Sequence, residues 1–192
     1  MELNTILEIL AVIFGLTYLI LLIKEQKICW YFGIAGSLLS IFLFYKIKLY
    51  SEAILYVYYV IIGFYGLWLW TRNSSNSNKM QVTNNSINQN LALIGVGIGL
   101  AFGLGYIFKT YTNADSPYLD AFTSIFSFIA SYLEAKKVLS AWLFWIVING
   151  LTLFLYFNKD LNYYFGLTVI YSIFSFVGFV KWRKVLNSYT IS

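Results

Sequence analysis

Histidine is absent, cysteine occurs once, and only 11% of the 192 residues are charged. Without histidine the chain lacks the commonest metal ligand and the usual general base at neutral pH. Cys29 alone forms neither an intramolecular disulfide nor a cysteine-cluster metal site. The shortage of charge excludes more. Soluble chains are about a quarter charged, and a soluble domain of this length leaves roughly a third of its surface wet. Thirteen basic and eight acidic side chains cannot cover that surface, and 17 Phe, 17 Tyr and 6 Trp would stand in water.

What is abundant is apolar: 60% of the residues are hydrophobic. Such a chain needs lipid as its solvent, and a spanning helix uses about 20 apolar residues. The formal charge of +5 does not indicate nucleic acid, because basic residues come in ones and twos between apolar runs. With Glu2 and no basic leader region, the N-terminus does not read as a cleavable signal, so the first helix is expected to be retained.

Apolar runs between charges predict seven helices, at about 4–23, 29–45, 52–71, 91–108, 118–134, 140–157 and 162–181. The second, fifth and sixth are short for a full span. The stretch TRNSSNSNKMQVTNNSINQN reads as a solvated linker by composition. The expected organisation is a three-helix unit over 1–71, a polar cytoplasmic linker over 72–90, a connecting helix over 91–109 and a second three-helix unit over 116–184. Lys24, Lys27, Arg72, Lys79, Lys136, Lys137, Lys181, Arg183 and Lys184 fall on one side, and Lys46, Lys48, Lys109 and Lys159 on the other. The excess of positive charge places the C-terminus in the cytoplasm and the N-terminus outside.

Sliding the sequence against itself by 112 positions pairs residues 8–70 with 120–182 without a gap. Eighteen of the 63 pairs are identical, including Lys24/Lys136, Trp30/Trp142, Tyr59/Tyr171, Gly66/Gly178 and Trp70/Trp182. Glu8 aligns with Asp120. Apolar composition alone explains only a minority of these. Two copies of an odd number of helices, separated by one more helix, keep the same orientation. The expected fold is an all-α membrane protein of seven transmembrane helices in 3+1+3 parallel repeats, as in SWEET-type transporters, with a substrate path where the halves meet.

The sixth segment carries W-x-x-W-x-x-x-N: Trp142, Trp145 and Asn149 at spacings that share one helical face. Two indoles with an amide one turn below suit a flat heteroaromatic ligand with polar edges, and a cationic ring gains further from the π-faces. An interfacial aromatic belt would also place tryptophan near a helix start, but Asn149 lies deeper, where an amide needs a partner. Trp30 and Ser37 are the first-half counterparts of Trp142 and Asn149. Glu8 and Asp120 are candidates for gating or path acids, or are solvated helix ends. Tyr59 and Tyr171, equivalent in the repeat, would flank a path or fill helix packing; Tyr50, Tyr56, Tyr58, Tyr65, Tyr163 and Tyr164 lie on the same segments. The glycines from Gly95 to Gly105 follow no strand and lack a ribose-binding acid downstream, so they serve helix packing and not phosphate binding. No nucleophile–base pair or cofactor-binding motif is visible, and the chain is not expected to be an enzyme.

These residues resemble the PnuC family of bacterial vitamin transporters over nearly the whole chain. The resemblance rests on L-E-I-L-A-V-I-F-G-L around Glu8, L-Y-S-E at Leu49 to Glu52, and Y-G-L-W-L-W at Tyr65 to Trp70. It continues through Asp120, A-K-K and W-L-F-W-I-V-I-N to Gly178 and Trp182. It implies a SWEET-like fold in the bacterial inner membrane, a homotrimer, and facilitated diffusion of nicotinamide riboside, trapped afterwards by a cytoplasmic kinase. Relatives carry thiamine, riboflavin or deoxynucleosides. Many riboside-type members of the family have Gln where this chain has Tyr56 and Ser131, and often Asn where it has Ala141. The V-Y-Y-V run at Val57 to Val60 and L-N-Y-Y-F at 161–165 resemble the thiamine branch. By this resemblance Trp142 and Trp145 stack the ring, Asn149 bonds its amide or ribose, and Tyr56 and Ser131 border the pocket.

Overall fold

The computed structural model describes residues 3–46, 50–72, 80–112, 114–158 and 162–191. Lys48, Lys79 and Lys159 lie outside the described residues, as do the side chains of Tyr50, Tyr163 and Tyr164. The described residues form seven helices: α1 (Leu3–Ile23), α2 (Cys29–Lys46), α3 (Tyr50–Arg72), α4 (Ile87–Tyr111), α5 (Pro117–Ala135), α6 (Ser140–Asn158) and α7 (Asn162–Ile191). Six are long and apolar enough to cross a membrane by length and composition; α5 is not among them. The polarity of α5 is turned inward, with Ser127, Ser131 and Glu134 buried. Large apolar side chains stand exposed on the other helices, including Ile54, Val96, Phe102 and Phe154. Water would penalise those faces and lipid would not.

Two compact units divide the chain, Met1–Gln81 and Val82–Ser192. In the first, α2 packs between α1 and α3; in the second, α5 packs against α4 and α6, and α6 against α7. Hydroxyls inside the helices bond to carbonyls one turn back, as Thr17 does to Ile13 at 2.8 Å, Thr152 to Ile148 at 2.9 Å and Ser172 to Thr168 at 2.8 Å. That satisfies them without water, which a bilayer interior does not supply.

The turns show how closely the 112-residue offset carries into backbone geometry. α1 ends with Glu25 N–H bonded to the Leu22 carbonyl at 2.9 Å and Gln26 N–H to that of Leu21 at 3.0 Å. α5 ends with Lys137 N–H bonded to the Glu134 carbonyl and Val138 N–H to that of Leu133, both at 2.9 Å. Each is a Schellman motif, which closes orphan carbonyls with one left-handed residue. Those residues are Glu25 at φ 55° and Lys137 at φ 53°, the non-glycine positions of positive φ among the described residues. Both are 112 apart, as are Cys29 and Ala141, whose N–H groups bond three residues back in each turn.

A Ser86–Gln89 capping box starts α4, with Gln89 N–H donating to Ser86 Oγ at 3.3 Å and Ser86 N–H to Gln89 Oε1 at 2.8 Å. The helix therefore begins inside the stretch expected to be a solvated linker. Just before it, Thr83 N–H donates to the Lys137 carbonyl at 3.0 Å, and Leu139 N–H donates to the Thr83 carbonyl at 2.8 Å. Val82 is buried beside this bridge, so the segment after Met80 is strapped to the α5–α6 turn. Along α4, Gly97, Ala101 and Gly105 form a buried stripe. A Cβ on Gly97 would meet Phe126 Cζ at 2.8 Å and one on Gly105 would meet Tyr118 Cδ1 at 2.5 Å, so these small residues let α4 approach α5. α7 runs ten residues past its expected end, because Lys181 to Lys184 leave the apolar span without breaking the helix.

Candidate functional site

Within the second unit, α6 brings Trp142, Trp145 and Asn149 to different surroundings. Trp142 is fully buried, standing edge-on to Trp182 at 5.3 Å and 89°. It lies directly over Gly178, where a Cβ would come within 2.6 Å of the indole. Trp145 is half-buried. It packs against a cluster that includes Phe126, Leu133, Phe144 and Ile148, and its sealed Nε1 has no hydrogen-bond partner among the described residues. Three residues of α6 thus turn one indole toward α7 and the next toward α5. A ring stacked on this helix would meet Trp145, since Trp142 has no free face.

Asn149 is buried and its Nδ2 donates to Ser175 Oγ on α7 at 3.1 Å. Ser175 Oγ in turn donates to the Tyr171 carbonyl at 2.9 Å. Ser175 was not a sequence candidate. It follows Tyr171 by one turn, and its first-half counterpart is Gly63, so neither the motif nor the repeat singled it out. Ser131, buried on α5, spends its hydroxyl hydrogen on the Ser127 carbonyl at 2.7 Å and keeps its lone pairs. Tyr171 is half-buried on α7.

The first unit repeats the tryptophan packing. Trp30 stands edge-on to Trp70 at 5.6 Å and 90°, and a Cβ on Gly66 would lie 2.4 Å from its ring. All three positions are 112 residues before Trp142, Trp182 and Gly178. Trp30 is therefore packed inside its unit, with Tyr18 against its other side at 5.6 Å. Ser37 is buried on α2. Tyr56 lies between Phe44, at 5.3 Å, and Tyr59, at 5.5 Å, as part of an aromatic run with Tyr58. Glu8 is exposed on α1, and Asp120 is half-buried in the first turn of α5. An open groove of about 460 Å³ lies among Tyr31, Phe64, Leu67, Trp68, Thr71 and Arg72. The Arg72 guanidinium sits 5.4 Å above the Trp68 ring there, the pairing of an interfacial anchor.

A family model described as nicotinamide mononucleotide transporter matches residues 5–184. The nicotinamide riboside transporter PnuC of Escherichia coli (strain K12) is 23% identical over 207 residues, covering 95% of this chain and 85% of that protein. The protein of the same name from Shigella flexneri aligns with the same figures, 23% identity across 95% and 85%. A crystal structure of the vitamin B3 transporter PnuC superposes with a TM-score of 0.77 at 21% identity, over 95% of this chain and 82% of that one. At that identity the superposition shows the shared fold.

Proposed function

The chain belongs to the nicotinamide mononucleotide transporter family, and on that footing we propose that it carries a flat, cationic vitamin precursor, nicotinamide riboside, by facilitated diffusion. One observation supports the binding site above others. Asn149, a buried amide on an apolar membrane helix, lies one turn from a partly open indole, Trp145. An amide at membrane depth is costly unless a partner or a ligand uses it. Trp145 offers a π-face to a cationic pyridinium, and Asn149 offers polar atoms to its carboxamide or ribose. Trp142 supports this pair from behind through Trp182 and Gly178. Tyr59, Tyr171, Tyr56 and Ser131 border the route in this reading, with Trp30 and Ser37 as the first-repeat counterparts.

The proposed mechanism is rocking of two parallel three-helix repeats, so that the site opens alternately to either side of the membrane. The recurrence of both Schellman turns and both tryptophan pairs at one offset supports such a duplication. We place the protein in the bacterial inner membrane with the C-terminus in the cytoplasm, as a homotrimer. Phosphorylation by a cytoplasmic kinase would trap the substrate, since a charged phosphate ester no longer fits a cation-selective aromatic site. Glu8 and Asp120 stand near helix ends and serve as path acids at most.

Thiamine is the second reading, favoured by the aromatic Tyr56, tilted against Phe44 and edge-on to Tyr59. Isothermal titration of the detergent-purified protein with both compounds separates the two. Riboside binding alone makes the chain an NAD-precursor carrier, thiamine binding alone makes Tyr56 and Ser131 the specificity positions, and silence from both refutes the reading.

A further inference from the structure

We infer that Ser175 is a positioning residue that fixes which end of the Asn149 amide meets the ligand, so that the site selects substrates presenting an N–H or O–H donor. One hydrogen atom decides the orientation. A serine hydroxyl has a single donor, and that of Ser175 is spent on the Tyr171 carbonyl at 2.9 Å. Toward Asn149 the oxygen can therefore only accept, so the Asn149 group facing it, at 3.1 Å, has to be the NH2. The back-bond to the Tyr171 carbonyl, the usual one for a helical serine, thereby sets the flip of the amide.

The consequence falls on the other end. Asn149 Oδ1 receives no hydrogen bond from the described residues, and it is not among their sealed, partnerless polar atoms. It keeps some accessible surface and presents an acceptor there, with at most one N–H of the same amide beside it, in fixed order. A carboxamide or an aminopyrimidine supplies the donor that this oxygen lacks. A group of the same shape with only an acceptor or a methyl leaves the oxygen unpaired in a buried site, which is where hydrogen-bond selectivity is largest. This ligand half rests on the reading of Trp145 and Asn149 as the substrate site; the orientation half does not.

The experiment pairs each vitamin with a same-charge analogue lacking the donor. These are nicotinamide riboside against 3-acetylpyridine riboside, and thiamine against its analogue with methyl in place of the pyrimidine amino group. The wild type should bind the donor-bearing member on the order of tenfold more tightly or better. In Ser175→Ala the amide can turn over, and the ratio should fall to within about threefold. Ser175→Gly, the residue type that Gly63 supplies in the first repeat, should behave alike and serves if the alanine variant folds poorly. A purely structural loss lowers both affinities together and leaves the ratio in place. An unaltered ratio in both variants, or a wild type that does not discriminate, overturns the proposal.

A ligand-free readout keeps the two readings apart. With asparagine labelled in nitrogen-15, the Asn149 side-chain NH2 is identified by its loss in Asn149→Asp. It should exchange slowly in the wild type and fast in Ser175→Ala. If neither vitamin binds, the substrate reading fails, and this signal still decides the role of Ser175: an unchanged Asn149 NH2 overturns it, and lost protection upholds it.

Discussion

Gly178→Ala adds one carbon beneath Trp142, and its effect can be worked out from distances. The new Cβ would lie 2.6 Å from Cη2, Cζ2 and Cζ3 of the indole, where carbon atoms prefer about 3.5–4.0 Å. The ring must retreat by about 1 Å, yet it is fully buried and braced edge-on by Trp182 at 5.3 Å. Overpacking of this kind costs about 1–3 kcal/mol, and a fully enclosed ring belongs near the upper end. Replacing a helical glycine by alanine returns about 1 kcal/mol of propensity. The net expectation is a loss of about 2 kcal/mol, a melting temperature lower by roughly 4–8 °C for a chain of this size. Gly66→Ala should act with the same sign, because its Cβ would meet Trp30 at 2.4 Å. Gly99→Ala is the control: nothing lies within 4 Å of its Cβ, so it should gain about 1 kcal/mol. Tryptophan fluorescence during thermal unfolding in detergent reads all three. Trp142→Phe should relieve most of the Gly178→Ala cost in a double-mutant cycle. If Gly178→Ala melts with Gly99→Ala, the packing argument is refuted.

Trp145→Ala should abolish vitamin binding while the purified protein keeps its helical circular dichroism, and unchanged affinity would reject the stacking role. Uptake into liposomes should change less than about twofold between pH 6 and 8, because the chain has no histidine to titrate there; a profile that steepens or flattens in Glu8→Gln or Asp120→Asn would show proton coupling instead. Glu25→Gly should raise stability by about 1 kcal/mol, since the residue sits at φ 55°, where a side chain is strained. Lys137→Gly should gain less, because its buried side chain is lost at the same time. Val82→Ala should cost about 1–2 kcal/mol and expose the segment around Thr83 to protease; a cleavage pattern identical to wild type would mean that the strap does not hold.

The number and order of the helices, and most of their ends, were legible in the sequence, because a lipid solvent demands long apolar runs and the charges that interrupt them are few; the end of α7 was not, since charge ends a span without ending a helix. The offset of 112 was legible for a related reason. Trp30, Gly66 and Trp70 recur as Trp142, Gly178 and Trp182, and ring-on-glycine packing tolerates few substitutes. The tight helix stripe on α4 followed from glycine spacing in the same way. The extent of structure between α3 and α4 was not legible. The composition of residues 80–86 is that of a loop, and only a main-chain bridge to the α5–α6 turn, which no side-chain pattern encodes, pins it down.

The candidate site was half visible. The motif identified Trp142, Trp145 and Asn149 as one face of a helix, since helical spacing is fixed by 3.6 residues per turn. It could not distinguish the two indoles, which have the same chemistry and differ only in what packs on them: α7 closes over Trp142, while Trp145 rests against the α5 side and keeps part of its surface. Nor could it find Ser175, 26 residues from Asn149, among the chain's many serines. Periodicity reports which way a side chain leaves its own helix. Which neighbouring helix it meets, and so whether a tryptophan is a wedge or a platform and which end of an amide faces outward, depends on how the helices pack, and that was decided only in the tertiary structure.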